Sequence, residues 1–488
     1  MKRFIFLSLS IFFSVLIILL VPFTLVIRPF FPFTGYLLGV DKPTSYLVLL
    51  GNDTEMRANG GFAGSYAKLF LSSARLDSLS SRVLEFFLGN PIPKPSVELN
   101  FQDIYVPNGQ LAGHVTPPEP IQQAFGHGTW ELANADWEPD FPTSATNIRW
   151  FLEKGKEINP DVLSIVNLTT IKQILNQIGS FQVPEYSAQI TPDNLYLFLQ
   201  GKTEMNFFPG STQKKDTLTA VGQALIKKAN SLSITKKLKI AHILYTDLIN
   251  QNIMIHSSNL SFQSFLEQKK LAGVLSPEAF DTYSLVETNL GANKANQFIT
   301  RSTIHTITLS PEPITNNYEL TTPSIHHSVT VHFSNSSPAV NPNPPIHYGG
   351  NYITYLRFYV PLEAKNISVV RSPLSSPPLP DPIPPSPAPI TNNYELTTPK
   401  YDLTEIGFWQ TTPAGGESTI SLAYDLLLPK TCHSRAGGNP SNSSDCYTLA
   451  ILKQHGLVSS PQALSIFGQS YSTKLLRSFS YPITGLDK

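Results

Sequence analysis

From Phe4 to Ile27 the chain carries no charged residue. The run is apolar on every face, so it has no polar side to turn to water as a surface helix of a globular domain would. It is long enough to cross a bilayer core, which takes about 20 residues. A cleaved signal peptide has a shorter apolar region and a small-x-small cleavage site, and neither is visible. Lys2 and Arg3 precede the run and Arg28 alone follows it, a bias that holds the N-terminus in the cytoplasm. The expectation is a single-pass signal anchor. Residues 1–3 form a cytoplasmic tip, residues 4–27 a transmembrane helix in the lipid bilayer, and everything beyond Arg28 is extracytoplasmic. Residues 28–44, with Phe30, Phe31, Phe33 and Tyr36 among prolines, read as an interfacial stalk.

With 488 residues, two or three domains are expected beyond that anchor. Lys+Arg and Asp+Glu are balanced at 35 each, so the basic excess of a nucleic-acid binder is missing and no nucleic-acid partner is expected. The two cysteines, Cys432 and Cys446, are too few for a disulfide framework and lack metal-site spacing. One bridge and two free thiols are both compatible with them.

From residue 45 to 310 strand and helix patterns interleave, which indicates a layered α/β domain. Strand candidates are Tyr46–Leu50, Phe62–Leu71, Arg82–Phe87, Ser96–Tyr105, Asp161–Asn167, Asp281–Thr288 and Ala295–Leu309. Helix candidates include one capped by Thr143 or Ser144, one over Thr169–Ile178 that stops at Gly179, one opened by Thr191-Pro192, and Lys214–Ala229, Thr235–Gln251 and Ser261–Leu271. From 311 to 488 the helical period disappears. Short strands separated by Pro, Gly, Asn and Ser predict a β-sandwich. It is interrupted by a proline-rich linker at 371–389 and by an inserted polar loop at 431–446. The segment PITNNYELTTP occurs at Pro313–Pro323 and again at Pro389–Pro399, which reads as a local duplication.

The stretch with most chemistry follows the first strand. Asp53, Glu55 and Arg57 stand in a loop that runs on into Asn59-Gly60-Gly61. A polar cluster at the C-terminal end of a strand is where α/β sheets usually bind ligands. Arg57 offers a planar fork for phosphate or carboxylate, and Asp53 an oxygen for a divalent cation. An ion pair that orders the hairpin accounts for the same residues. Gly60 and Gly61 supply either an anion-binding nest of amides or simply a tight turn, the latter favoured because no P-loop ending is present. Asp136, Glu138 and Asp140 precede a helix that carries Arg149; they suit the helix dipole or a Mg²⁺ or Ca²⁺ ion. Asn289, Asn293 and Lys294 lie between two strands and could add amides and a cation to a site, or form a polar hairpin connection. The eleven histidines make no metal pattern, and His326, His327 and His332 are expected at a strand surface.

NDTEMRANGGFAGSYAKL, ANADWEPDFPTSA, ETNLGANKANQF and YLRFYVP resemble, in that order, the motif blocks of the bacterial domain of unknown function 4012, and through it, distantly, the LytR–CpsA–Psr domain. The resemblance implies a membrane-anchored cell-envelope protein with a LytR–CpsA–Psr-like α/β domain. It implies binding or organising of surface polymers or, alternatively, a phosphotransferase that moves an envelope glycopolymer from a polyprenyl-pyrophosphate carrier to the wall. In that second case Arg57 and Arg149 would be the phosphate ligands and Asp53, Asp136 or Asp140 the Mg²⁺ ligands, with Glu55, Gly60, Gly61, Asn289 and Lys294 completing the binding site. The arginine-bearing helix of LytR–CpsA–Psr proteins has here the counterpart KKDTLTAVGQALIKKA, with Lys214 and Lys215 and no arginine. An adhesin-like role for the β-sandwich is the third possibility.

Overall fold

Leu47, Leu49, Leu163 and Ile165 are buried on one face of a central sheet. Val48, Leu50 and Val166 alternate with them and point to the other face. That alternation on two adjacent parallel strands organises the first half of the chain. The protein is seen in a computed structural model that describes residues 28–40, 42–75, 93–126, 128–204, 212–309, 324–338, 349–373, 396–427 and 447–483. The central sheet has the order β3-β2-β1-β4-β7. Its strands are β1 (Thr44–Arg57), β2 (Gly60–Arg75), β3 (Pro93–Asp103), β4 (Val162–Asn167) and β7 (Ile253–Ser257). β1 and β4 are parallel and the other pairs antiparallel.

The helix Phe141–Lys154 packs Phe141, Ala145, Ile148, Phe151 and Leu152 on the Leu47 face. Its cap is Asp140, whose side chain accepts the Thr143 amide at 3.0 Å, rather than Thr143 or Ser144. The opposite face is roofed by the helices Leu168–Ile178, Leu195–Glu204 and Gln213–Asn230 and by a small hairpin, β5 (Phe181–Val183) with β6 (Ala188–Ile190). Leu168–Ile178 ends at Gly179, with φ of 84°, a left-handed position that favours glycine. The helix predicted to open at Thr191-Pro192 begins at Leu195.

The remaining strands form two six-stranded sheets with one shared core. One has the order β12-β15-β10-β9-β17-β18 and the other β13-β14-β11-β8-β16-β19. Their strands are β8 (Asp281–Asn289), β9 (Ile299–Leu309), β10 (Ser324–Asn335), β11 (Tyr352–Pro361), β12 (Lys365–Pro373) and β13 (Leu396–Lys400). They continue with β14 (Leu403–Thr412), β15 (Glu417–Leu427), β16 (Tyr447–Leu452), β17 (Ser460–Ile466), β18 (Gln469–Leu475) and β19 (Phe479–Ile483). β8 and β9, which the sequence reading placed in the α/β part, belong to these sheets. Each is a central strand that pairs in parallel with a strand from the end of the chain, β8 with β16 and β9 with β17. The β-rich part therefore begins at 281, because ladder partners more than 150 residues away leave no local mark.

His327 is a second correction. It lies on the inward phase of β10 with Val329 and Val331 and is fully buried. His305 meets its ring at 3.0 Å, and the Tyr447 hydroxyl lies 3.2 Å away. Burial pushes both histidines down to about 3, so this core carries them neutral.

Residues 28–44 are not a spacer. Arg28–Phe33 and Thr34–Leu37 are helical turns. Phe33 packs 5.0 Å from the ring of Phe262, and Phe30 lies 5.2 Å from Phe265, both on the helix Leu260–Gln268. The Tyr36 hydroxyl reaches Ser257 Oγ at 2.8 Å. The apolar run Phe4–Ile27, the strand candidate Arg82–Phe87, the first copy of the duplicated segment, most of the proline-rich linker, and the loop with Cys432 and Cys446 lie outside the described residues. Among the described residues no helix is long and apolar enough to cross a membrane.

Candidate functional site

The hairpin β1–β2 departs from a regular ladder where its charge lies. Asn52 pairs with Phe62, but the next pair is Met56 with Gly61. Asp53, Thr54 and Glu55 thus have no counterpart on β2. A bulge of this kind bends the strand and re-aims side chains. Asp53 turns to the helix Leu168–Ile178, where its carboxylate accepts the Thr169 amide at 3.3 Å, and burial raises its carboxyl. Glu55 turns into a cavity. There Oε1 accepts from Arg57 Nη2 at 2.9 Å and Oε2 from the ammonium of Lys294. All three side chains are at most 12% exposed. Burial alone would raise Glu55, but Arg57 and Lys294 outweigh it and hold its carboxyl below the ordinary value.

The rest of the arrangement holds Arg57 in place. Its Nη1 donates to the backbone carbonyl of Asn289. The side-chain amide of Asn289 binds Asn293 and Asn296, ordering the loop that presents Lys294. The guanidinium lies 4.9 Å above the Phe62 ring. Its Nε is buried without a hydrogen-bond partner. A third cation, Lys214, reaches the same cavity from the helix Gln213–Asn230. It donates to the Gly64 carbonyl at 2.6 Å and lies 3.3 Å from the Asp103 carboxylate.

The cavity has a volume of about 1040 Å³, at the upper limit of the roughly 300–1,000 Å³ usual for small-molecule sites. Its walls are mostly apolar: Val48, Leu50, Ala67 and Leu69 from the sheet, and Ile171, Leu175, Leu199 and Val221 from the helical roof. Glu55, Arg57, Lys214 and Lys294 stand with Tyr105 and Glu131 in its lining. The chamber thus joins mostly apolar walls to cations near the end of β1.

Several expected site residues are placed elsewhere. Arg149 lies at the opposite end of the sheet, at the start of β4. It donates to Asn159 Oδ1 at 2.7 Å and to the Pro160 carbonyl, and its Nε lies 3.3 Å from His256 Nδ1. Asp140 is used up as a cap, with its second oxygen accepting the Leu275 amide at 3.0 Å. Gly60 and Gly61 do not line the cavity. Gly61 gives its amide to Asn167 Oδ1 at 2.9 Å, so it is not free to bind an anion. The reversal itself falls at Ala58-Asn59, and Gly60 has φ of 124°. Both glycines are required by close packing. A Cβ on Gly60 would meet Asn167 Oδ1 at 2.7 Å, and one on Gly61 would meet the Asn52 carbonyl carbon at 2.0 Å.

The hairpin tip is clamped instead. The Asn59 amide donates to Ser144 Oγ at 3.1 Å and to the Glu138 carbonyl. Gln454, from the segment after β16, donates to the Arg57 carbonyl at 3.0 Å. Nothing in the sequence singled out Gln454 as a partner of this loop, and Lys214 stood out only as part of the counterpart of the arginine-bearing helix.

Asp53, Asp136 and Asp140 do not share a site. Among the described residues no three His, Cys, Asp or Glu side chains form a metal-holding group. The structure does not bring the three aspartates together as one ligand set. Asp136 is fully enclosed, its Oδ2 has no partner, and burial pushes it up to about 6 against the pull of Arg57. A raised carboxyl penalises the folded state above its folded pKa and leaves it unaffected below the unfolded value of 3.8. Asp136→Asn should therefore stabilise the protein at pH 7, by an amount on the order of 3 kcal/mol. The gain should vanish as the pH falls from 6 to 4 in urea titrations, and a pH-independent difference would contradict this.

Residues 41–203 match the family model described as Protein of unknown function (DUF4012), the family whose motif blocks the sequence resembles. No curated protein sequence matches the chain. Among solved structures, B. subtilis TagV aligns with 50% of this chain and 87% of its own, at 15% identity and a TM-score of 0.26. The Lin1025 protein from Listeria innocua aligns with 50% of this chain and 85% of its own, at 11% identity and a TM-score of 0.25. TagT bound to LIIa-WTA aligns with 47% of this chain and 75% of its own, at 12% identity and a TM-score of 0.22.

Proposed function

We propose that this chain is a membrane-anchored, extracytoplasmic envelope protein that binds a polyprenyl-linked anionic precursor of a surface glycopolymer. The tail occupies the cavity under the helical roof, and the phosphate faces Arg57, Lys294 and Lys214. The observation that carries this reading is the cavity itself: about 1040 Å³ with mostly apolar walls, and three cations in the lining. Arg57 Nε, a buried donor without a partner, supplies an unmet hydrogen bond of the kind a phosphate oxygen would accept. The apolar run Phe4–Ile27 supports the anchor. The two six-stranded sheets are read as a sandwich that clamps the hairpin from above. Transfer of the glycopolymer to the wall is the finer alternative. Of the phosphate and metal ligands it requires, Arg57 alone reaches the cavity, and no transfer step is assigned to these residues.

Binding of polyprenyl phosphate and of uncharged polyprenol to the full chain in detergent tests the assignment. Lys294→Met should weaken the phosphate about tenfold, or ~1.4 kcal/mol, and leave the alcohol unchanged. Ile171→Trp, which fills the chamber, should weaken both. If inorganic pyrophosphate binds the unaltered chain as tightly as the lipid does, the chamber does not hold the tail.

A further inference from the structure

The described part of the body reaches back to the residue that follows the apolar run. Arg28 follows Ile27 directly and already belongs to a helical turn. Phe30 and Phe33 are packed on Phe265 and Phe262. Three extended residues reach at most about 10 Å. If residues 4–27 cross a bilayer, as the proposed anchor requires, the body cannot stand off from the membrane. The end of it that carries Phe30 and Phe33 must lie at the headgroups.

That end is the N-terminal edge of β1. Tyr36, Ser45, Asp161 and Ser257 are joined there, with the Ser45 amide and hydroxyl at 2.9 and 2.8 Å from Asp161 Oδ2. Its surface is apolar in a way solvent does not explain. Leu260, at the start of the helix that holds Phe262 and Phe265, is 81% exposed, and Phe31 is 55% exposed.

The helix Ile234–Ile249 carries a second exposed patch at its N-terminus. Near its C-terminus Asp247 accepts the Thr170 hydroxyl at 2.6 Å, at the far end of the sheet. Ile234 lies thirteen residues back, about 20 Å away along the helix axis, and is 71% exposed. Near it in the sequence are Lys227, Lys228, Lys236, Lys237 and Lys239, and no acidic residue occurs between Asp216 and Asp247. In a chain of zero net charge, that lysine concentration is a local field. An anionic leaflet attracts such lysines by about 1 kcal/mol each, and exposed Leu, Ile and Phe sink into the headgroup boundary.

We propose that this face is a membrane-docking surface, with Leu260, Phe31 and Ile234 inserted among the headgroups of an anionic leaflet and the lysines above them. The docking fixes the cavity upright. Asn52, where the bulge begins, is eight residues beyond Thr44, about 25 Å from the bilayer side. The cation cluster therefore stands away from the membrane, and the apolar chamber lies between it and the lipid. A bound tail points back toward the bilayer it came from.

The test uses the full chain, with Cys432→Ser and Cys446→Ser, reconstituted in nanodiscs. Spin labels are placed at Leu260→Cys, Ile234→Cys and, as control, Ile304→Cys on β9, which is also exposed. In discs containing phosphatidylglycerol, the labels at 260 and 234 should be more accessible to oxygen than to a water-soluble nickel chelate. The label at 304 should show the inverse ratio. In pure phosphatidylcholine, or at 1 M salt where screening falls to about 3 Å, the label at 234 should move toward the ratio of the control. Labels at 260 and 234 that match 304 in every disc would overturn the docking face while leaving the anchor intact. Failure of the chain to co-assemble with discs would overturn the anchor, and the docking face with it. Lipid binding in the cavity is read separately, in detergent.

Discussion

Glu55→Gln should cost the fold about 3–5 kcal/mol, the usual penalty for removing one partner of a buried ion pair. At the same time it should tighten binding of an anionic lipid. The two effects have one cause. Glu55 is the only anion that touches both Arg57 and Lys294 among the described residues. In its absence two enclosed cations repel each other with no counter-charge. A phosphate in the cavity would restore that counter-charge, so the variant should regain stability as phosphate lipid is added, while the unaltered chain gains less. Denaturant titrations with and without polyprenyl phosphate measure both quantities. The sign of the pH dependence follows as well. Glu55 is held below its ordinary value, so its contribution is present above the unfolded carboxyl pKa and is lost as the pH falls through the folded one. The variant should lack that acid-side loss. Equal stability of variant and unaltered chain at neutral pH would mean that the three charges do not form a unit.

Gly61→Ala should be the most damaging of the small substitutions. The added Cβ would lie 2.0 Å from the carbonyl carbon of Asn52 and 2.2 Å from the amide of Asp53. Both atoms are backbone, so no side chain can swing away. The collision falls where the bulge begins, and relieving it means moving the segment that aims Glu55 into the cavity. A loss of about 3 kcal/mol or more is expected, beyond the usual range for overpacking, together with loss of lipid binding. Gly64→Ala provides the contrast. Its Cβ would meet the Lys214 ammonium at 3.2 Å and the edge of Phe62 at 3.3 Å, flexible ends that can shift. That variant should lose less than about 1 kcal/mol. Comparable melting of the two variants would show that the hairpin tip is looser than its packing indicates.

The motif after the first strand was legible because charge so close behind an apolar strand is unusual at any fold position. Glu55 and Arg57 proved to be partners, and ETNLGANKANQF supplied Lys294 beside them. The aspartates misled for a local reason. An acidic residue before a helix satisfies the helix whatever else it does, and both oxygens of Asp140 are taken by backbone amides, of Thr143 in the helix and of Leu275. Arg149 looked like a second phosphate ligand because one helix separates it from Asp136. That helix runs along the strands, so Ser144 near its start meets the hairpin tip while Arg149 reaches the opposite end of the sheet.

By itself the sequence determined where strands and helices alternate, which loop holds the unusual charge, and that an apolar run precedes the folded body. These are properties of neighbours along the chain, and period and composition record them. Only the tertiary structure decided that Glu55 meets Lys294 across 239 residues, that β8 and β9 belong with the last strands, and that one face of β1 borders a chamber while the other is filled. Those outcomes depend on which distant segment covers a given side chain. Burial and charge pairing are fixed by that cover, and no local pattern encodes it.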